Sequence, residues 1–315
     1  METSLFSSEP SLSSAQEKNI EILCRVATRN GSCLTLREVL ELTSLDLGEQ
    51  DLAVAWNISK SLSSKFKVFS GQIIDINRPV TQDDMGKRSV QAESNLCFAR
   101  KFARFFRSID SVYLLSVSGS TSYRSVSQDD DLDFFCITKK DSLWIFMFVA
   151  LVISRIFRAT QKVAPTFCFS CTMEENYARK IFNTRNDGLF ARDALTVIVL
   201  KGEQFYGNLL KENSWIRKYF SRIYNERISE TERNRSSVVL IDTYVSSTLR
   251  KITNIFLSVT LGNYIRIKSE LTSRRYSKAG ANARIFKAKI DAQRCIFESN
   301  DYIELHKEYL DFQAV

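Results

Sequence analysis

The chain has 315 residues, 44% apolar side chains including 22 Phe, and 44 Lys and Arg against 36 Asp and Glu. That length fits two compact units with an appendage, and that apolar fraction excludes disorder for most of the chain. Ten Gly and three Pro exclude collagen-like and Pro-rich designs, a single His excludes His-rich zinc sites, and a net charge of +8 admits a polyanionic partner.

Residues 1–16 are Ser-rich with Glu2 and Glu9 as their only charges. They read as a flexible tail without the basic start and apolar run of a signal peptide. Ile20, Ile22, Leu23 and Val26 fall at helical spacing over 16–28, and Asn30-Gly31 ends that helix. Thr35 and Glu38 form a capping box for a second helix with Leu36, Val39, Leu40 and Leu42. A third helix is expected over 49–66, with Leu52, Val54, Ala55, Ile58 and Leu62 inward. Residues 66–76 read as a hairpin turning at Ser70-Gly71. Three helices and a hairpin are the order of a winged helix, placed at 17–79. The third helix has only Lys60 and Lys65 as basic residues, so packing or protein contact fits it better than DNA binding.

After Pro79 a connecting helix is expected over 84–109, with Val90, Leu96, Phe102, Phe105, Phe106 and Ile109 as its apolar positions. Strands follow at 111–118, 131–138 and 165–173, with a helix from Asp141 to about 157 and another over 187–200. The uncharged runs 142–154 and 252–265 fall short of the ~20 residues a membrane span needs. They read as buried helices, with peripheral membrane contact as the alternative and no integral span. Seven cysteines without framework spacing, six of them in apolar runs, read as reduced thiols of a cytoplasmic protein. Cys168 and Cys171 form a lone Cys-x-x-Cys that fits a core strand better than a metal site. Residues 221–315 are expected to form a basic helical region. Within 217–295 there are 17 Lys and Arg against 6 Asp and Glu, so nucleic acid is a candidate partner there. Tyr264, Arg266, Lys268, Arg274, Arg275, Tyr276 and Lys278 interleave rings with cations, as stacking plus phosphate contact requires and as an exposed basic helix pair also would.

Chemistry concentrates in Ser116-Val117-Ser118-Gly119-Ser120, ten residues, then Asp131-Leu132-Asp133. Gly119 and Ser120 come directly after a strand, where glycine lets backbone approach a ligand and the next N–H groups suit phosphate. Asp131 and Asp133 are two apart on a strand and so share a face. Two adjacent carboxylates repel each other, and a divalent cation with oxygen ligands relieves that repulsion. An unpaired Asp133 among Leu132, Phe134 and Phe135 would be costly. A phosphate cradle beside a carboxylate pair is a layout for metal-assisted phosphoryl or nucleotidyl transfer.

These residues resemble the nucleotidyltransferase superfamily typified by DNA polymerase beta. Its signature is a hydrophobic residue, Gly, Gly or Ser, nine to thirteen residues, then two acids alternating with hydrophobes. Val117-Ser118-Gly119-Ser120 and Asp131-Leu132-Asp133-Phe134 match it. Arg124 stands where small prokaryotic members carry glycine. The chain is also similar to one uncharacterised prokaryotic group in Ile137–Lys140 with Leu143-Trp144, in 167–172, in Phe190-Ala191-Arg192-Asp193 and in Asn213-Ser214-Trp215-Ile216. The resemblance implies an α/β (α+β) fold: a nucleotidyltransferase-like mixed sheet with flanking helices at 84–220, a winged-helix-like N-terminal domain and a helical C-terminal region. It implies that Asp131 and Asp133 bind Mg²⁺ or Mn²⁺ holding a nucleoside triphosphate. Gly119, Ser120 and Arg124 would bind its phosphates, and an acceptor hydroxyl would receive the nucleotide.

Active members add a third carboxylate on a neighbouring strand. Here Ser170 stands at about that place, and Glu174 and Glu175 come past the strand end. The alternative is therefore a degenerate transferase fold that binds nucleotide or nucleic acid without turnover, or a winged-helix regulator whose transferase fold is a ligand domain. The superfamily often places its base contacts after the core strands, so the resemblance would let Tyr206 and Lys201 reach a nucleotide, while the residues themselves fit a structural Tyr and a solvated Lys better.

Overall fold

A computed structural model describes residues 10–43, 45–128, 130–161, 163–233, 246–280 and 285–314. The expected tail therefore lies outside the described residues over 1–9. Its last residues belong to α1 (Ser14–Arg29). Ser13 caps this helix by accepting from the Gln16 N–H, and the Gln16 side chain accepts from the Ser13 N–H at 2.8 Å.

α2 (Leu36–Leu42) starts at the Thr35/Glu38 capping box the sequence announces. α3 (Glu49–Ile58) ends sooner than its apolar pattern implies. Ser59 leaves helical backbone at ψ 107°, and its hydroxyl caps a separate turn, α4 (Lys60–Ser63). Trp56 is buried there, whereas Val54 and Ile58 face solvent. β1 (Leu34–Thr35), β2 (Phe66–Phe69) and β3 (Gln72–Asp75) pair antiparallel in the order β1-β3-β2. Ser70 and Gly71, with φ of 49° and 76°, make the left-handed two-residue turn that matches hairpin twist.

The molecule is mixed α/β. Its main sheet has six strands in the order β7-β4-β5-β6-β9-β8. These are β4 (Val112–Val117), β5 (Leu132–Thr138), β6 (Phe167–Glu174), β7 (Ile198–Lys201), β8 (Phe286–Asp291) and β9 (Arg294–Ser299). β5 and β6 run parallel, and every other neighbouring pair is antiparallel. Two expectations are corrected here. The helix expected over 187–200 stops at Thr196, and Ile198–Lys201 becomes an edge strand, because Val197 takes extended backbone. The C-terminal region is not all helix. Its β8–β9 hairpin extends the main sheet, burying Cys295 and half-burying Phe286, Ala288 and Ile290, a period-two alternation that the basic charge of the region masks.

Each face of the sheet has its own core. On one, Leu114, Phe135, Ile137 and Met173 meet α8 (Glu175–Thr184), α9 (Gly188–Thr196), α10 (Glu203–Glu212), α11 (Ser221–Arg233) and α13 (Asn300–Tyr309). Ile22, Leu23 and Val26 of α1 join this core, so the N-terminal unit is fused to the sheet layer. Arg29 strengthens the join through ion pairs to Asp301, Glu304 and Glu308 of α13 at 2.6–2.8 Å. On the other face, Leu115, Val117, Leu132, Phe134 and Cys136 meet α5 (Gln82–Ala103), α7 (Leu143–Thr160) and α12 (Ser247–Lys278). Phe102 sits at the centre, its ring 5.0–6.4 Å from those of Phe106, Phe134, Phe157, Phe167 and Phe169. Val90 and Phe105, expected inward, are exposed.

α7 runs past its uncharged stretch to Thr160. Among the described residues it is the one helix long and apolar enough to cross a membrane by length and composition, and 39% of it is buried in the fold. Leu143, Trp144, Phe146, Met147, Ala150 and Phe157 form its inner side. All seven cysteines are free thiols.

Candidate functional site

The site forms at one end of β4, β5 and β6. β4 ends at Val117, and the chain turns through Ser118 into a single helical turn, α6 (Gly119–Ser122). The Ser118 N–H donates to the Asp133 carbonyl at 3.0 Å, fixing the loop to β5. Gly119 has φ 64°, and a Cβ there would lie 2.6 Å from Asp133 Oδ2. Glycine is required twice over, by the left-handed backbone and by the carboxylate beneath it. α6 is too short for much dipole. What the loop offers is backbone, since the first-turn N–H groups of Ser120 and Thr121 have no acceptor within the helix.

Asp133 lies in β5 on the α9 face of the sheet. β6 carries an extra residue here: Asp133 pairs with Cys168 and Phe135 with Cys171, so Phe169 and Ser170 on β6 stand against Phe134 alone on β5. Such bulges re-aim side chains. Ser170 Oγ donates to Asp133 Oδ1 at 3.2 Å, and the Cys168 thiol also hydrogen-bonds this carboxylate. Burial pushes the Asp133 carboxyl up to about 6, the two hydrogen bonds oppose that, and the negative charges of Asp131 and Asp130 add to it. Asp131 is exposed, just ahead of β5, and acts electrostatically on Asp133. The two acids expected to share a face are thus coupled, one at the surface and one beneath the loop.

Arg124 follows α6 with φ 54°. The backbone therefore has the conformation glycine favours at the position where the resembled family has glycine. The Arg124 side chain is exposed and 3.9 Å from Glu93, away from Asp133. The structure brings Gly119, Ser120, Asp131 and Asp133 together and leaves Arg124 at the rim.

The strand-end acids do not supply a third carboxylate. Glu174 is the last residue of β6, six residues or roughly 20 Å along the strand from Cys168. It is buried beside the backbone N–H groups of Asp141, Ser142 and Leu143, where α7 begins, and its Oε1 has no hydrogen-bond partner among the described residues. Burial holds it up to about 7. Glu175 pairs with Arg179. Ser170 occupies the position beside Asp133. Among the described residues, no three His, Cys, Asp or Glu are grouped to hold a metal ion. The oxygens of Asp131, Asp133 and Ser170 are the hard donors that suit Mg²⁺, so these residues fit a cation shared with a ligand rather than a closed protein cage.

A buried polar cluster supports the loop from behind, and motif reading did not connect it to the site. The Tyr123 hydroxyl accepts from Arg192 Nη2 at 2.8 Å and from Thr196 Oγ1 at 3.1 Å, and donates to Asp193 Oδ1 at 2.9 Å. Arg192 Nη1 donates to the Tyr309 hydroxyl at 2.9 Å. Arg192 is 7% exposed and lies 4.6 Å over the Tyr123 ring. Adjacent opposite charges inside Leu189-Phe190-Ala191-Arg192-Asp193-Ala194-Leu195 were the available signal, because ions in an apolar helix must be paired.

The smaller candidates are structural. Tyr206 is buried and donates to the Ala194 carbonyl at 2.8 Å. Lys201 donates to the Phe106 carbonyl at 2.8 Å and to that of Ile109, and burial lowers its ammonium to about 8. Trp215 donates to the Phe182 carbonyl and stacks on Phe190. His306, on α13, lies 3.8 Å from Asp187, the residue that caps α9.

Comparison with family models, with curated proteins and with solved structures returns no match for this chain.

Proposed function

We propose that this protein binds a nucleoside triphosphate through Mg²⁺ or Mn²⁺ at Asp131 and Asp133 and transfers a nucleotide to an acceptor hydroxyl. The observation that carries the proposal is the seat of Gly119 on the Asp133 carboxylate. One residue brings phosphate-facing backbone and metal-binding oxygens together at the strand ends. In this reading the N–H groups of Ser120 and Thr121 meet the phosphates, and Arg124 reaches in from the rim. Bound metal would neutralise the coupled acids and polarise the phosphoryl oxygens. Ser170 and Cys168 keep the Asp133 carboxylate oriented by donating to it.

The second reading is binding without turnover, and Ser170 favours it. A hydroxyl replaces the carboxylate that would activate an attacking hydroxyl, and Glu174 lies at the other end of β6, buried beside the start of α7. Nucleic acid remains the proposed partner of the basic region 217–295. A cytoplasmic setting suits seven free thiols.

Titration calorimetry with ATP and GTP, in Mg²⁺ and in chelator, tests the site. Binding should require Mg²⁺ and disappear in Asp131→Asn/Asp133→Asn. Release of pyrophosphate, or labelled product, separates the enzyme from the binding module. No binding by the wild type sinks both.

A further inference from the structure

Among the described residues, α12 carries one apolar face that stands exposed. Leu249, Ile252, Phe256 and Val259 recur at intervals of three and four, so they form one line along the helix. Each is 57–63% exposed. The opposite side of the helix, with Leu257, Leu261 and Ile265, packs into the sheet core alongside α7. The Asn254 side chain locks this arrangement by accepting from the Trp144 N–H at 2.8 Å. The outward line is therefore presented by a helix held in place. α7 adds a second exposed line, Phe148, Val152 and Ile156, at intervals of four.

Charge identifies what covers this face. α12 has seven Lys and Arg and one acid, Glu270, while α7 has Arg155 and Arg158 and no acid. A second copy docked by the same face would set like charges against like. A polyanion such as nucleic acid satisfies the cations and gains nothing from Leu, Ile, Phe and Val. A surface with anionic headgroups over hydrocarbon satisfies both, as it does for interfacial amphipathic helices.

We infer that the α12 face docks the protein on an anionic lipid bilayer as a peripheral contact, independently of any nucleotide chemistry at Asp133. The apolar line enters the headgroup boundary, and the basic C-terminal half of α12 meets lipid phosphates.

The test is co-sedimentation of the full chain with vesicles of phosphatidylcholine alone or with about one-third phosphatidylglycerol. The anionic vesicles should bind the protein, salt should weaken binding, and neutral vesicles should not bind it. Ile252→Asn/Phe256→Asn should weaken binding at least tenfold, to judge from the apolar area removed, roughly two large side chains. Both sites are exposed, so folding should persist, as circular dichroism and melting would verify. Arg274→Glu/Arg275→Glu should weaken binding through charge alone. The inference is overturned by no binding to anionic vesicles, or by binding that Ile252→Asn/Phe256→Asn leaves unchanged. It is equally overturned by a dimer in light scattering that this variant splits while vesicles bind nothing. Nucleotide titration of Ile252→Asn/Phe256→Asn should match wild type.

Discussion

Replacing Gly119 with Ala isolates the contact on which the site depends. An L-residue in left-handed backbone costs about 1–2 kcal/mol, offset by about 0.4–1 kcal/mol because the unfolded chain becomes stiffer. The second cost follows from the 2.6 Å separation between a Cβ and Asp133 Oδ2. Contact between heavy atoms is comfortable at roughly 3.5 Å, so the carboxylate must withdraw by most of an ångström. It then weakens its bonds from Ser170 and Cys168, and a hydrogen bond to a charged group is worth about 1.5–3 kcal/mol. Gly71 provides the control, with φ 76° and nothing within 4 Å of its Cβ. Gly71→Ala should cost about 1 kcal/mol or less, and Gly119→Ala about 2–4 kcal/mol, as unfolding free energies from urea titration. Mg²⁺-dependent nucleotide affinity should fall at least about tenfold in Gly119→Ala, the equivalent of 1.4 kcal/mol, and stay unchanged in Gly71→Ala. Equal destabilisation by the two substitutions would refute the seating of Gly119 on Asp133.

Glu174 predicts a pH dependence. Its carboxyl sits at about 7 against an ordinary 4.5, so the native state holds this proton more tightly than the unfolded chain. Stability from this group is complete below pH 4.5, falls as pH rises toward 7 and levels off above. Wild type should lose about 1–2 kcal/mol over that window, allowing for solvent screening. Glu174→Gln should flatten the slope in urea midpoints taken at several pH values, and parallel slopes would contradict the assignment. Ser170→Asp tests the cation site. In chelator its extra charge beside Asp133 should lower the melting temperature by about 2–3 °C, on the scale of 1–2 kcal/mol for a chain of this length, and Mg²⁺ should restore it. A loss that Mg²⁺ does not repair would mean that these oxygens do not hold a cation.

The acid pair and the glycine were legible because their signals are local. A strand, a glycine and an alternating acid pair need only the chain's own periodicity to be placed. The two capping boxes, at Ser13/Gln16 and Thr35/Glu38, are local in the same way, although only the second was used. What escaped depends on partners distant in sequence. Ile198–Lys201 is a strand because β4 offers it an edge, and 286–299 forms a hairpin because β6 does. The bulge in β6 aims Ser170 at Asp133, and strand periodicity alone cannot locate it. Spacing points Val54, Val90 and Phe105 inward, yet all three are exposed, and Phe105 meets the core only through the edge of the Phe157 ring.

The supports of the 119–125 loop bear on what the flanking regions are for. Thr121 accepts from Asn95 of α5, at 3.4 Å. The Ser125 hydroxyl donates to the Asn30 carbonyl at the end of α1, at 2.8 Å. Tyr123 is clamped by Arg192 of α9, which is itself held by Tyr309 of α13. The helices at both ends of the chain therefore converge behind one loop, and the Arg29 ion pairs tie those two helices to each other. A loop fixed from four elements keeps its backbone N–H groups in place without a ligand, and preorganisation of this kind lowers the cost of binding. The N-terminal unit is thus part of the loop's foundation as well as a neighbour of the sheet.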